Sequence, residues 1–140
     1  MIRDALIPML RQRFSNEKLM VGVPPGPIVI FLAKHPSVGA LEICDDGDEA
    51  TIYIGEITHG HFNPYNEELS QEEVEKQVTE DVIDFLEDLF ADRILLWKSK
   101  TRGSGGWQHL NYAEQPIEVD RDSEYYVWSG PYIPEVARPH

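Results

Sequence analysis

The most constraining feature of the sequence is one long amphipathic stretch, residues 69–93, which reads LSQEEVEKQVTEDVIDFLEDLFADR. Ser70 and Glu73 stand at the spacing of a capping box, which satisfies two backbone N–H groups at the start of a helix. The pattern predicts a helix over residues 70–92, roughly 30 Å long at about 1.5 Å per residue. Its apolar residues recur at helical spacing and form one stripe: Val74, Val78, Val82, Phe85, Leu86 and Leu89.

The segments on either side of this stretch predict strands that cluster together instead of alternating with helices. Residues 28–33 (IVIFLA) are continuously apolar, as in a strand buried on both faces. Asp46-Gly47 joins two further predicted strands, 38–45 and 50–57, because Asp-Gly between apolar runs favours a hairpin. Residues 59–66 are predicted as a turn-rich link into the long helix. Later strands are predicted at 94–97, at 107–112, and in a hairpin of 117–119 with 125–128.

The two ends of the chain are predicted to differ. Apolar residues from Ile2 to Phe14 keep a helical spacing, which predicts a short amphipathic helix that ends near Leu19. Prolines predict an irregular tail from residue 130 onwards. We find no internal repeat or linker, and 140 residues suit one domain. The sequence therefore predicts a single α+β domain, with the long helix packed on one face of a mainly antiparallel sheet of about five to seven strands.

Acidic residues dominate the middle of the chain. The whole sequence has a formal net charge of −13, which opposes binding to nucleic acid or to an anionic membrane. Residues 36–97 carry seventeen carboxylates against Lys76 and Arg93, a balance of −15, whereas residues 1–35 and 98–140 balance at +3 and −1. If the protein has a charged partner, the sequence favours a basic one.

Carboxylates on the long helix form the candidate partner-binding site. Glu80 with Asp84, and Asp84 with Asp88, are like-charge pairs four residues apart, and each costs about 0.2–0.5 kcal/mol in an isolated helix. Glu87, Asp88 and Asp92 also stand near the negative end of the helix dipole, where carboxylates are unfavourable. The alternative is a solvated surface that only keeps the protein soluble. Because uncompensated local costs suggest function, we predict a partner-binding face of Glu73, Glu80, Asp84, Glu87 and Asp88.

His59 and His61 form the candidate metal site of the sequence. In an extended segment two residues so spaced point to the same side, and Glu42 or Glu56 is available as a carboxylate ligand. No third ligand stands at a spacing typical of a zinc site. The alternative interpretation is a pair of histidines in the predicted turn-rich link.

Lys98, Lys100 and Arg102 form a candidate anion-binding site. These cations alternate along a predicted strand end and lead into residues 103–106 (GSGG), whose backbone amides can surround an anion. Neither a Walker pattern nor a G-x-G-x-x-G fingerprint is present. The alternative interpretation is a mobile hairpin loop.

The cysteine content and the first residues indicate a compartment. Cys44 is the single cysteine, so no internal disulfide forms, as is typical of proteins in reducing compartments. The opening stretch MIRDALIPMLRQRF has no long apolar run, and we expect neither a signal peptide nor a membrane span. We therefore expect a cytoplasmic protein that binds neither nucleic acid nor membrane.

The function that these patterns favour is binding. No catalytic motif or cofactor fingerprint accompanies them, and we expect no cofactor. We predict a non-enzymatic module that presents the acidic helix face to a basic protein, as an inhibitor or neutraliser does. One alternative is a small metal-assisted hydrolase built on His59 and His61. Another is a structural subunit of a larger assembly, with the proline-rich tail from Pro131 to Pro139 as its contact arm.

Overall fold

The structure, a computed structural model, describes residues 2–110 and 120–133 and folds them into two helices and nine strands. The α+β class predicted from the sequence is confirmed, with one long and one short helix. Neither helix in these two stretches is long and apolar enough to cross a membrane. In chain order the elements are α1 (Ile2–Arg13), β1 (Leu19–Val21), β2 (Val29–Phe31), β3 (Leu41–Asp45), β4 (Ala50–Ile54), β5 (Thr58–Phe62), α2 (Gln71–Phe90), β6 (Ile94–Ser99), β7 (Gly105–His109), β8 (Ser123–Val127) and β9 (Gly130–Pro131).

The strands form two antiparallel sheets. In the first sheet, β1 to β5 lie side by side in chain order, and the register pairs Val29 with Ile43 and Ile43 with Ile52, so that buried side chains line one face. In the second sheet, β6 lies between β7 and β8, and β9 pairs with β8. Two sheets of five and four strands replace the single sheet of about five to seven strands that the sequence predicts, because the chain leaves the first sheet through α2 before β6 begins.

Helix α2 begins at the capping box that the sequence predicts. The Glu73 backbone N–H donates to Ser70 Oγ over 3.2 Å, and the Ser70 N–H donates to Glu73 Oε1 over 3.2 Å. Two backbone N–H groups at the helix start are thereby satisfied. Every residue of the predicted apolar stripe is buried, and Ile83 is buried beside them.

The two helices pack together and share one hydrophobic core with both sheets. At the C-terminal end of α2, the Phe90 ring centroid lies 5.2 Å from that of Phe14, 5.1 Å from that of Phe31 and 5.2 Å from that of Trp128. Aromatic contacts of this kind stabilise a fold beyond their buried area. Phe90, which stands on the flank of the stripe in sequence, is therefore packed against the core.

Glycines mark the points at which backbone segments approach most closely. A Cβ on Gly105 of β7 would lie 2.0 Å from the carbonyl oxygen of Ile57, in the turn between β4 and β5. A Cβ on Gly55 in the same turn would lie 1.9 Å from the carbonyl oxygen of Val38. Side chains at these positions would push the segments apart. The glycine-rich segment 103–106 is therefore in part a packing requirement between the two sheets.

Residues 58–62 form strand β5, so the prediction of a turn-rich link there is wrong. Their burial alternates, with His59 and His61 exposed and the residues between and beside them half-buried. Gly60 weakens a strand by itself, yet it leaves room for the Trp107 indole, because a Cβ on Gly60 would lie 3.2 Å from Trp107 Nε1. These residues are a strand because they pair with β4 across the short turn at residues 55–57, with Ile52 opposite Gly60 and Ile54 opposite Thr58.

Smaller differences lie at both ends of the described chain. Helix α1 ends at Arg13, and Leu19–Val21 pair with β2 as a strand instead of continuing the helix. Gly130–Pro131 pair with β8, so these two residues are regular; proline is tolerated at such an edge because its missing N–H is not needed. Residues 125–127 belong to β8, which pairs with β6, whereas the predicted strand 117–119 and the tail beyond Ile133 lie outside the described residues.

Candidate functional site

Helix α2 presents polar side chains to solvent on the side opposite its buried stripe. Glu73, Glu80 and Asp84 are exposed there, and we call these three residues the α2 acidic face. Lys76 is an exposed base among them. The buried stripe fixes the rotation of the helix, so these carboxylates keep their direction towards solvent.

Glu80 and Asp84 are the members of this face that the protein itself does not engage. Within the described part of the chain, neither carboxylate receives a hydrogen bond or forms an ion pair. Glu73 differs, because the capping box uses it. The hydrogen bonds with Ser70 lower the pKa of Glu73 below its ordinary value.

Two of the predicted partner-binding residues, Glu87 and Asp88, are engaged within the protein. Arg13 Nη2 on α1 lies 3.2 Å from Glu87 Oε1. Asp88 Oδ1 lies 2.8 Å from Arg93 Nη2, and Asp88 Oδ2 lies 3.2 Å from His109 Nε2. Solvent-exposed ion pairs of this kind contribute only about 0–1 kcal/mol each to stability. They nevertheless engage the Glu87 and Asp88 carboxylates in contacts within the fold.

Asp92, which stands near the negative end of the helix dipole, ends α2 in a left-handed conformation with φ of +59°. Its N–H donates to the Leu89 carbonyl over 3.0 Å, and the Arg93 N–H donates to the Asp88 carbonyl over 2.9 Å, which is a Schellman motif. Its carboxylate accepts the Ser129 backbone N–H over 3.0 Å and also the Ser129 hydroxyl. Asp92 therefore ties the helix end to the turn between β8 and β9.

His59 and His61 lie on the exposed side of β5, as their spacing predicts for an extended segment, with ring centroids 5.1 Å apart. His61 Nδ1 lies 3.0 Å from Glu49 Oε2 and 3.2 Å from Thr51 Oγ1, so one ring nitrogen already has partners in the protein. Across residues 2–110 and 120–133, no group of three or more His, Cys, Asp or Glu side chains is arranged to hold a metal ion. The metal prediction therefore gains no third ligand from these residues.

The structure divides the three cations of the predicted anion site between two places. Arg102 Nη2 lies 2.6 Å from Asp120 Oδ2, and Arg102 Nε donates to Ser99 Oγ over 3.3 Å. Arg102 thus fastens the turn between β6 and β7 to the segment that leads into β8. Lys98 and Lys100 instead line a cleft between the two sheets.

This cleft, which we call the seam cleft, has a volume of about 510 Å³. The turns at residues 36–39 and 55–57 of the first sheet form one wall, and β6 with β8 of the second sheet forms the other. Glu56 and Glu124 line it together with Lys98 and Lys100. Sequence reasoning considered Glu56 only as a possible metal ligand and missed Glu124, because long-range strand pairing and the packing of the two sheets bring these carboxylates together with the lysines. Gly55, at the closest approach of two turns, is the one local signal.

A smaller cleft of about 250 Å³ shares the 55–57 turn with the seam cleft. Its lining includes His59 and the glycine-rich residues 103–105. Two features that are separate in the sequence, the histidine pair and the glycine-rich segment, are therefore neighbours in the fold.

Because comparisons with known proteins find no match, a functional proposal for this chain rests on the geometry described above. No family model, curated protein or solved structure matches the chain. The candidate sites are therefore distinguished by what their own side chains can bind. The α2 acidic face offers unengaged carboxylates, the seam cleft offers charges of both signs, and the histidine pair has no third ligand among the described residues.

Proposed function

We propose that the protein is a small non-enzymatic binding module that docks a basic protein on the α2 acidic face. The observation that carries the proposal is the state of Glu80 and Asp84, which are exposed and reached by no hydrogen bond or ion pair from the residues that the structure describes. A helix with a buried opposite side holds them in fixed positions. Carboxylates arranged in this way steer a cationic partner and raise its association rate at low salt.

The local cost of these carboxylates supports the same proposal. Glu80 and Asp84 stand four residues apart, where like charges cost about 0.2–0.5 kcal/mol in an isolated helix. A cationic side chain of a partner, placed between them, removes this repulsion on binding. The protein would then mask or neutralise a cationic site, by analogy of charge with acidic inhibitors. A cytoplasmic location and a lack of nucleic-acid binding belong to this proposal, on the grounds of the single cysteine and the net charge of −13.

A comparison of charge-reversal variants tests the proposal. The protein is immobilised and used to capture proteins from a native cell lysate, which are then washed with rising salt. The basic protein that is retained is identified and purified for titration calorimetry. The double variant Glu80→Lys with Asp84→Lys should weaken that complex at least about tenfold, and wild-type affinity should fall steeply with salt. Thermal unfolding followed by circular dichroism verifies that the variant is folded.

A matched control separates the α2 acidic face from net charge. Glu17→Lys with Asp48→Lys changes the charge by the same amount at positions off helix α2, and this variant should keep wild-type affinity. The α2 acidic face is not the docking site if the two double variants bind the partner with equal affinity. The same follows if Glu80→Lys with Asp84→Lys retains the captured basic protein as well as the wild type does.

The two alternative functions receive less support. A metal-assisted hydrolase on His59 and His61 lacks a third ligand among residues 2–110 and 120–133, and elemental analysis of the purified protein tests it directly. Burial, with Asp46 and Glu42 nearby, raises the pKa of Cys44, which disfavours a thiolate nucleophile at neutral pH. A structural role for the proline-rich tail, of which the part beyond Ile133 lies outside the described residues, is tested by measuring mass in solution with and without the tail.

A further inference from the structure

The seam cleft has the size of a small-molecule site and a polar, charged lining. Its volume of about 510 Å³ lies within the range of about 300–1,000 Å³ that is typical of ligand pockets. It lies between the two sheets and away from the α2 acidic face, since no residue of α2 lines it. A ligand bound there would therefore be independent of the proposed docking of a basic protein.

One wall of the seam cleft is held by close backbone packing. The Gly55 N–H donates to the Ala40 carbonyl over 2.8 Å, and the Gly55 backbone lies against the Val38 carbonyl oxygen at a distance that admits no side chain. The Ile57 carbonyl is in turn packed against Gly105 of the second sheet. Glu56 stands between these two anchored positions, so the turn that carries it is fixed before any ligand arrives.

The opposite wall carries unpaired cations. Lys98 is half-buried, yet no carboxylate among the described residues lies within ion-pair distance of it. Glu124 is its cross-strand partner in the β6–β8 register, but the Glu124 carboxylate accepts the Tyr126 hydroxyl instead. Among the residues that the structure describes, Lys100 Nζ reaches only the Arg121 carbonyl, at 3.5 Å. Lys98 is thus a partly buried lysine to which the described residues supply no carboxylate partner, in a chain whose net charge is −13.

Charges of both signs therefore line one cleft without pairing with each other. A simple anion such as phosphate would be attracted by the lysines but repelled by Glu56 and Glu124, and a simple cation would meet the reverse. A ligand with one carboxylate and one ammonium satisfies both walls, since hydrogen bonds between charged groups are the stronger ones. We infer that the seam cleft binds a small zwitterion of the amino-acid or dipeptide class, with its carboxylate against Lys98 and Lys100 and its ammonium against Glu56.

Titration of the isotopically labelled full chain with glycylglycine, followed by amide NMR, tests this inference. Free amino acids are titrated next, and acetate, methylammonium and inorganic phosphate serve as single-charge probes. We expect saturable shifts at residues 55–57 and 98–100 with the zwitterions and weaker binding of each single-charge probe. Lys98→Gln and Glu56→Gln should each weaken glycylglycine binding about tenfold or more.

Lys34→Gln is the matched control, because Lys34 is exposed and does not line the seam cleft. It should leave glycylglycine binding unchanged, and so should Glu80→Lys with Asp84→Lys, which separates this site from the α2 acidic face. The inference is overturned if neither glycylglycine nor any free amino acid gives saturable shifts. It is also overturned if phosphate or acetate binds as tightly as the zwitterions, or if Lys34→Gln weakens binding as much as Lys98→Gln.

Discussion

Two regions of helix α2 use their carboxylates in different ways. At the C-terminal end of the helix and in the turn that follows it, residues 85–93, Glu87 pairs with Arg13 and Asp88 with Arg93, while Asp92 accepts two hydrogen bonds from the β8–β9 turn. In the body of the helix, residues 71–84, Glu80 and Asp84 face solvent without such contacts from the described chain. The first region fastens the helix to the fold, and the second leaves its charge available.

This contrast between the two regions of α2 shows under which condition a locally unfavourable residue indicates function. A carboxylate near the negative end of a helix dipole costs about 0.3–1 kcal/mol. By this rule alone, the C-terminal end of α2 is the stronger candidate for a functional site. Tertiary contacts offset that cost there, as Arg13 does for Glu87. In the body of the helix, no hydrogen bond or ion pair within the described residues offsets the repulsion between Glu80 and Asp84; Lys76 stands one turn before Glu80 but forms no ion pair with it. The inference of function therefore rests on the body of α2 and not on its end.

The largest expected effect concerns packing at the C-terminal end of α2. Phe90→Ala removes a ring that contacts Phe14, Phe31 and Trp128. We expect a loss of about 3 kcal/mol in the free energy of unfolding. This is the lower limit for core phenylalanines, which we choose because Phe90 is half-buried. Lys76→Ala, an exposed change in the body of the helix, should alter it by less than about 0.5 kcal/mol. Denaturant unfolding measures both. Equal effects of the two variants would remove the contrast between the regions.

The next effect concerns the carboxylate that ends the helix. Asp92→Ala removes the acceptor of two hydrogen bonds from Ser129 and places alanine in a left-handed conformation, so we expect a loss of about 1–2 kcal/mol in unfolding free energy. Asp92→Gly loses the same hydrogen bonds but tolerates that conformation, and it should be less destabilised by about 1 kcal/mol. If the alanine variant is as stable as wild type, the contacts with Ser129 do not fasten the helix end.

The sequence predicted those features of α2 that depend on neighbours along the chain. The capping box joins Ser70 to Glu73, three residues apart, and the buried stripe repeats every three or four residues. Such contacts lie within a few residues, so a local pattern determines them. The α+β class followed in the same way, from strands that cluster around one long helix.

The partners of the charged side chains could not be predicted, because they lie far away in sequence. Glu87 meets Arg13, and Asp92 meets Ser129 from the turn before the last described strand. The seam cleft depends on the same kind of long-range packing, since Glu56 and Lys98 belong to different sheets. Strand β5 was missed for a different reason: its partner β4 is close in sequence, but THGHF carries no apolar alternation that marks a strand.

A smaller effect concerns the N-terminal start of α2 and is visible through pH. Ser70→Ala removes the acceptor for the Glu73 N–H, and we expect a loss of about 1 kcal/mol in unfolding free energy. Glu73→Gln keeps the geometry of a capping box but removes the titration. Because hydrogen bonds with Ser70 lower the pKa of Glu73 from its ordinary value of 4.5, the folded state holds the charged form more strongly than the unfolded state does.

The sign of the pH dependence follows from that lowered pKa. The contribution of Glu73 to stability is fully present above pH 4.5 and is lost as the pH falls through the folded-state pKa, which lies below 4.5. Glu73→Gln should therefore lose less stability than wild type between neutral pH and the acid range. Thermal unfolding of both proteins over that range measures the difference. Parallel curves would show that the Glu73 carboxylate makes no differential contribution.

The smallest change in stability belongs to the residue on which the proposed function depends most. Glu80→Gln removes one charge of a like-charge pair with Asp84, so the free energy of unfolding should rise by about 0.2–0.5 kcal/mol. Glu87→Gln, the matched change at the C-terminal end, instead loses the pair with Arg13 and should lower it by up to about 1 kcal/mol. Denaturant unfolding, repeated for precision, distinguishes a gain from a loss.

The effects of Glu80→Gln and Glu87→Gln on affinity for a basic partner should be opposite to their effects on stability. Glu80→Gln should weaken the complex with a basic partner while it stabilises the protein, whereas Glu87→Gln should destabilise the protein and leave the complex nearly unchanged. A carboxylate whose removal improves stability and impairs binding is maintained for the partner and not for the fold. If Glu80→Gln lowers stability, Glu80 has a structural use like that of Glu87, and the two regions of α2 no longer differ in kind.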